Sequence, residues 1–331
     1  MIMGVTGGTG CLGLPLIKRF TDIGLKIKLL TLPDDPHKSL VPKNVKIIVG
    51  DILCLETLRS FTRNCDIVFH LAAKVHANAK CKKEEKSFYD INVEGTRLLL
   101  QTASSKKVKR IIFFSTVGIY GKDADFYGNE LSPCKPTSVY ARSKYLAEQL
   151  VLDAHKNGGP EGVVLRFPVV YGPLDRGNMA GLIKAIYHKQ FFYFGDGKAY
   201  RSMISSENTA EAALRAAFEP RAANQIFCAT DGRDYTMREV VEAICEALDT
   251  DWRPCHVPLF IAKILGKSGD LIERLACTTM PINSDRVRKL SRPLTFSCDK
   301  AKRILKYEPI ETLQAGIFKE VKWLLTENGW K

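Results

Sequence analysis

Ile2-Met3-Gly4-Val5-Thr6-Gly7-Gly8-Thr9-Gly10-Cys11-Leu12-Gly13-Leu14-Pro15-Leu16-Ile17-Lys18-Arg19-Phe20 sets the fold of this chain. The apolar run Ile2 to Val5 reads as a strand. Leu14 to Phe20 is apolar at helical spacing. Between them stand the glycines Gly7-x-x-Gly10-x-x-Gly13. Strand, glycine turn and helix in that order suit a dinucleotide pyrophosphate. The first glycines permit a tight turn and close backbone approach to the phosphates. The last permits close helix–sheet packing, and the helix N-terminus faces the negative charge. Gly7, Thr9, Gly10, Cys11 and Leu12 are therefore candidate cofactor contacts.

Outward from that start, strands alternate with helices. Leu25 to Leu32 is a second strand. Val45 to Val49 is a third, ending in Gly50-Asp51-Ile52. Ile67 to Leu71 is a fourth, ending in Ala72-Ala73, and small residues there let a cofactor lie against the backbone. Phe88 to Ala103 reads as one long helix containing Asn92-Val93-Glu94-Gly95-Thr96. Ile111 to Ser115 is a fifth strand, running into Thr116, and Val163 to Phe167 is a sixth. Later, Ala210 to Phe218, Thr236 to Leu248 and Thr312 to Leu325 read as helices and Gln225 to Cys228 as a strand. Alternation of this kind predicts an α/β fold with a parallel, doubly wound sheet and ligands at the strand C-termini. An acid at the end of the second strand would hold a ribose 2′-OH. Thr31 stands there, Asp34 and Asp35 come slightly late, and Lys38 is a distant partner for a 2′-phosphate. NAD and NADP both remain open.

Ser138 to Leu150 reads as a helix with Tyr140 and Lys144 four residues apart, on one face. A positive charge beside a phenol favours the phenolate, so Tyr140 is expected to lose its proton more readily than a free tyrosine.

The chain has 331 residues, 45% hydrophobic and 26% charged, with a net charge of +13. That composition suits a soluble globular protein. No apolar run approaches a membrane span, and the glycine loop starts within ten residues of Met1, so residence in the cytoplasm is expected. Ten scattered cysteines without a CxxC pair fit reduced thiols rather than a disulfide framework or a metal site. The basic groups are short and dispersed, such as Lys80-Cys81-Lys82-Lys83 and Arg286-Val287-Arg288-Lys289. They read as solvated faces rather than a nucleic-acid patch.

Taken in order, Thr6 to Gly13, Gly50-Asp51-Ile52, Leu71-Ala72-Ala73, Asn92-Val93-Glu94-Gly95-Thr96, Ser115-Thr116 before Tyr120-Gly121, Tyr140-x-x-x-Lys144 and Arg166-Phe167-Pro168-Val169-Val170-Tyr171-Gly172-Pro173 resemble the extended short-chain dehydrogenases/reductases. Within them the chain looks like the NAD-dependent epimerase/dehydratase group, in its UDP-glucose 4-epimerase-like branch. The resemblance implies a Rossmann-type domain over residues 1–172. Residues 173–331 would form a smaller, mainly substrate-binding α/β region, some of whose segments return to the Rossmann sheet. It implies NAD, with NADP not excluded, held also by Asp51, Ile52, Leu71, Ala72, Ala73, Asn92, Ser115 and Pro168. Tyr140 would be the acid/base, Lys144 would bond the nicotinamide ribose, and Thr116 would bond the reacting oxygen. Asn178, Phe194 and Arg201 stand where the family binds the diphosphate and nucleobase, and Arg286, Arg288 and Arg292 lie near that phosphate site. A homodimer is implied through the helices bearing Tyr140 and Asn92, with Leu98, Leu99, Leu100, Leu146, Leu150 and Val151 supplying apolar faces.

Val117-Gly118 departs from the family's dehydratases, which carry an Asp-Glu pair there. Neither residue moves a proton, so dehydration by that route is excluded. The acid that related decarboxylases place in this stretch is missing too. The remaining chemistry is hydride transfer with one acid/base. A UDP-hexose or UDP-N-acetylhexosamine 4-epimerase fits, and so does a 4-keto-sugar-nucleotide reductase. A 3β-hydroxysteroid-type dehydrogenase shares the N-terminal motifs, but Arg201 and Asn178 weigh against it. A non-catalytic NAD(P)- or RNA-binding protein would be expected to lack Tyr140 or Lys144.

Overall fold

Seven strands carry the molecule: β1 (Ile2–Thr6), β2 (Lys26–Thr31), β3 (Lys46–Val49), β4 (Ile67–His70), β5 (Arg110–Thr116), β6 (Glu161–Phe167) and β7 (Gln225–Cys228). The computed structural model describes residues 1–75, 81–122, 124–276 and 283–330. Lys80 and Cys277 lie outside the described residues. All seven strands are parallel, in the order β7-β6-β5-β4-β1-β2-β3. The order reverses beside β1, which opens a crevice at the strand C-termini. Central strands are buried on both faces. Met3, Val5, Leu29, Phe69, Ile112 and Leu165 pack on one side, and Leu30, Val68 and Ile111 on the other. Their near-continuous apolar runs follow from that double burial.

The glycine loop holds its form by contact as well as conformation. Gly7 has φ +67°, and a Cβ there would stand 2.7 Å from Ala72 Cα. A Cβ on Gly13 would stand 2.3 Å from Gly8 Cα, so the helix Gly13–Asp22 starts directly on the loop. A Cβ on Gly10 would meet nothing within 4 Å.

The expected doubly wound sheet is present, and β7 joins it by pairing Cys228 with Arg166 on β6. The chain leaves the sheet at Phe167. Pro168, which has no N–H to donate, is followed by Val169–Tyr171, a strand that pairs with Tyr200–Ser205 in a second, smaller sheet. That sheet also holds Asp234–Thr236, Leu294–Phe296 and Phe126–Gly128. Helices Asn178–Tyr187, Met237–Ala247 and Leu313–Asn328 form a separate core beside it, around Ile183, Ile244 and Ile317.

Three expectations change. The long helix Phe88 to Ala103 is interrupted: Lys82–Tyr89 and Gly95–Ser105 flank a π-turn, Asp90–Glu94. Leu98, Leu99 and Val151 are buried within the protomer, so they offer no dimer face, whereas Leu146 is exposed. Two helices that the sequence did not announce, Leu259–Ala276 and Ser284–Ser291, pack against each other.

Candidate active site

Ser138 caps the helix Val139–Asp153, its Oγ accepting from the Ala141 N–H at 3.1 Å. Tyr140 therefore stands in the first turn, half-buried, with Lys144 one turn on and buried. The Lys144 Nζ lies 3.9 Å from the centroid of the Phe113 ring on β5. Burial pushes the Lys144 ammonium down to about 7, with Glu148 opposing. Burial also pushes the Tyr140 phenol up to about 12. The readily ionised tyrosine expected from the Tyr–Lys spacing is thus not a property of the cofactor-free chain. Sequence spacing supplies the pair; burial, which spacing does not reveal, reverses the shift expected for Tyr140.

Thr116 ends β5 and caps the short turn Val117–Tyr120. Its Oγ accepts from the Gly118 N–H at 3.1 Å. The threonine thus satisfies a backbone group while its own proton can still be given to a reacting oxygen. A Cβ on Gly118 would lie 3.4 Å from Thr116 Oγ and 3.9 Å from Ala141 Cβ, so this turn sits directly against the first turn of the tyrosine helix.

A chain of buried hydrogen bonds locks the floor of the site. Thr96 Oγ donates to the Asn92 carbonyl at 2.6 Å, so it accepts from His70 Nε2 at 2.9 Å. His70 Nδ1 is then the acceptor, taking the proton of Thr6 Oγ at 2.8 Å. Thr6 Oγ in turn accepts from the Ala72 N–H at 3.2 Å. The neutral ring with its proton on Nε2 is the one form in which both threonine protons and both ring nitrogens find a partner. Burial and Lys144 hold its pKa at about 3, in agreement. Asn92, buried in the π-turn, donates to the Lys74 carbonyl and Ser143 Oγ and accepts from the Lys74 N–H. Ser143 Oγ donates to the Tyr140 carbonyl at 2.8 Å. Asn92 therefore braces the loop after β4 against the tyrosine helix; its amide protons are used inside the protein.

The crevice fits a dinucleotide. Gly7 and Gly10 leave a backbone cradle, and Ser115 Oγ is buried with no hydrogen-bond partner of its own. Ile52 is buried against Gly95, while Asp51 turns back to accept from the Leu53 N–H. Leu71, Ala72 and Ala73 continue from β4 at partial burial.

Asp35 brings a carboxylate to the end of β2. Its carboxylate accepts from Thr31 Oγ at 2.6 Å, from Thr9 Oγ of the glycine loop, and from the His37 N–H at 2.9 Å. Burial opposes its charge, but these bonds outweigh burial and hold the carboxyl below its ordinary value. One oxygen takes two of these bonds and the other takes one, so an acceptor position remains for a ribose hydroxyl. We expect Asp35→Ala to reduce the preference for NAD over NADP by about tenfold or more, through loss of one acceptor and of repulsion toward a 2′-phosphate. Dissociation constants for both cofactors, measured on the same preparation, check this. An unchanged ratio would remove Asp35 from the cofactor site.

The second half is less convergent. Cys11 Sγ reaches the Gly172 carbonyl at 3.6 Å, and burial raises its thiol pKa well above normal. Pro168 is buried between the two sheets. Asn178 is exposed at its helix start, where Asp175 already accepts from the Gly177 and Ala180 N–H groups. The Phe194 side chain packs on Ala262 and Val287 rather than facing a cleft. Arg201 lies in the middle of the smaller sheet, level with Tyr235 and Leu294. Arg288 pairs with Asp285, and Arg292 with Asp125. A shallow cleft of about 350 Å³ beside Phe194 is lined by Gly195, Asp196, Arg238, His256 and Pro258.

Comparison with known proteins agrees with this geometry. The family model described as "NAD dependent epimerase/dehydratase family" matches residues 3–229. UDP-glucose 4-epimerase of Vibrio cholerae is 28% identical over 98% of this chain and 95% of its own length. A ketoreductase of Stigmatella aurantiaca, acting on a 4-farnesyl-3,4-dihydroquinoline-1-oxide, is 28% identical over 95% of this chain and 93% of its own. Among solved structures, UDP-glucuronic acid 4-epimerase of Bacillus cereus, in complex with UDP-glucuronic acid and NAD, superposes with a TM-score of 0.78. It is 21% identical and covers 99% of this chain and 100% of its own.

Proposed function

Because this chain belongs to the NAD-dependent epimerase/dehydratase family, we propose that it is a nucleotide-sugar 4-epimerase acting on a UDP-hexose or UDP-N-acetylhexosamine. The supporting observation is the first turn of the tyrosine helix packed against the Thr116–Gly118 turn, with no carboxyl at Val117 or Gly118. One proton-transfer group is enough for oxidation and reduction at a single carbon, and none is present for eliminating water.

Tyr140 accepts the proton of the sugar 4-hydroxyl as the C4 hydrogen leaves as hydride. Thr116 Oγ donates to the same oxygen and holds it in line. Bound NAD supplies reversible hydride uptake. Lys144 would offer its donors to the nicotinamide ribose and its charge to Tyr140, one turn away on the same helix. After the 4-keto sugar had turned over in the site, Tyr140 would give the proton back to the C4 oxygen on the other face, with Thr116 again holding that oxygen. Gly7 to Leu12 and Asp35 hold the cofactor's phosphates and ribose, with Ser115 and Pro168 along its path. We assign Arg201 and Asn178 to the substrate diphosphate and the segment starting at Phe194 to the nucleobase. A homodimer through the tyrosine helix would use Leu146 and the half-buried Leu150.

A 4-keto-sugar reductase is the second reading, favoured by the ketoreductase among the relatives. Incubation with UDP-glucose, UDP-N-acetylglucosamine and their C4 epimers, without added cofactor, separates the two. Interconversion is the expected result. Turnover only of a 4-keto sugar, with one NAD(P)H oxidised per product, would overturn it.

A further inference from the structure

Between Phe260 and Gly269 the helix Leu259–Ala276 buries its small residues and exposes its large ones. Over its first three turns Ala262, Gly266 and Gly269 face the protein. A Cβ on Gly266 would stand 3.0 Å from Ser284 Cα, so the backbones of this helix and Ser284–Ser291 are nearly in contact. Asp270 also turns inward and accepts from the Ser284 N–H at 3.1 Å. On the opposite side Phe260 is 67% and Ile264 61% exposed, with Ile261 and Leu265 beside them at 39% and 43%. At about 100° per residue these four form one stripe. Lys263 and Lys267, both exposed, run along its edge, and no acid occurs between Leu259 and Ser268.

Among the described residues, the contacts that seat the start of this helix come from Ala262, Gly266 and Leu259, and the stripe is left exposed. Its chemistry specifies the partner: apolar in the middle, anionic at the edge. A second copy meeting through the same face would bring Lys263 and Lys267 against their equivalents, in a chain whose net charge is already +13. A bilayer surface matches both parts. Phe260, Ile261, Ile264 and Leu265 would enter the boundary between headgroups and acyl chains, and the lysines would meet lipid phosphates. Among the described residues no helix is long and apolar enough to cross a membrane, so the helix would lie on the surface.

We propose that the start of helix Leu259–Ala276 docks the protein on an anionic phospholipid bilayer. Ala262 packs on Phe194, so docking turns the substrate-binding side of the molecule toward the lipid. Vesicle binding does not depend on the 4-epimerase reading; the placement of substrate beside Phe194 and the activity control rest on it.

Co-sedimentation with phosphatidylcholine/phosphatidylglycerol vesicles, against phosphatidylcholine alone, tests it. The wild-type chain should bind the anionic vesicles and be released by salt. Phe260→Asp with Ile264→Asp should weaken binding by about tenfold or more, as should Lys263→Glu with Lys267→Glu. Circular dichroism confirms folding, and Phe260→Ser with Ile264→Ser is the gentler pair if the first unfolds. Conversion of soluble nucleotide sugars should be unchanged in all of these. Failure to bind anionic vesicles overturns the proposal, and so does binding insensitive to the Phe260/Ile264 changes. A wild-type dimer that those changes convert to monomer, without vesicle binding, assigns the face to a second copy instead.

Discussion

Tyr140→Phe should lower kcat by about 10³-fold, within the range that a positioned acid/base contributes, while leaving NAD affinity within about twofold of the parent. The substitution removes one oxygen and keeps the ring. The contact that secures this residue to the floor of the site uses its backbone carbonyl, which accepts from Ser143 Oγ, so the fold keeps that support. Thr116 remains to bond the substrate oxygen but has no base behind it. With the phenol pushed up to about 12, Tyr140 in this chain alone keeps its proton near neutral pH and does not take one from a hydroxyl. The positive charge of an oxidised nicotinamide would favour the phenolate, which couples the acid/base to cofactor binding. Steady-state conversion of C4 epimers and a fluorescence titration with NAD measure the two quantities. Activity above a tenth of the parent would mean that another group moves the proton.

What was legible in the sequence was local or periodic. The strand–glycine–helix start, the helix with Tyr140 and Lys144 four apart, and the strands are patterns within a few residues of each other. Asp35 was hidden because a count along β2 ends at Thr31, whereas the turn through Pro33 brings a later carboxylate back to Thr31 and Thr9. The π-turn at Asp90–Glu94 leaves the apolar spacing of its helix nearly unchanged, so periodicity read straight through it. Asn92 was assigned to the cofactor by resemblance, and only its bonds to Lys74 and Ser143 reveal a brace. Helix Leu259–Ala276 was not announced at all, and in it contact between backbones at Gly266 makes small residues the inner ones. The pKa directions of Tyr140 and Lys144 depend on burial, which neither residue's spacing encodes.

Beneath the reacting groups lies a buried ion pair whose loss should be the largest stability effect in the molecule. Arg166 on β6 donates to Glu148 through Nε at 3.1 Å and Nη2 at 2.7 Å, and both side chains are almost fully buried. Its Nη1 donates to Tyr120 Oη at 3.0 Å, and Tyr120 Oη donates to the Asn129 carbonyl at 2.8 Å. Burial opposes the Arg166 charge, but its bonds to Glu148 and Tyr120 win and raise its pKa. Glu148 stands one turn beyond Lys144 on the tyrosine helix, and Arg166 pairs across the sheet with Ser115, next to Thr116. The pair therefore fastens the element that carries the base to the strands that carry its partners. Arg166→Met should cost about 3–5 kcal/mol in urea unfolding, because it strands a carboxylate away from water. Glu148→Leu added to Arg166→Met removes that stranded charge, and the double variant should be more stable than the single one. The expected sign of that difference distinguishes desolvation of Glu148 from simple loss of packing around Arg166, for which the second substitution would only add damage. A cost below about 1 kcal/mol for Arg166→Met would place the pair among the weak ones. The double variant should still turn over more slowly than the parent, since apolar contacts leave the Tyr140 helix freer to shift against β5 and β6.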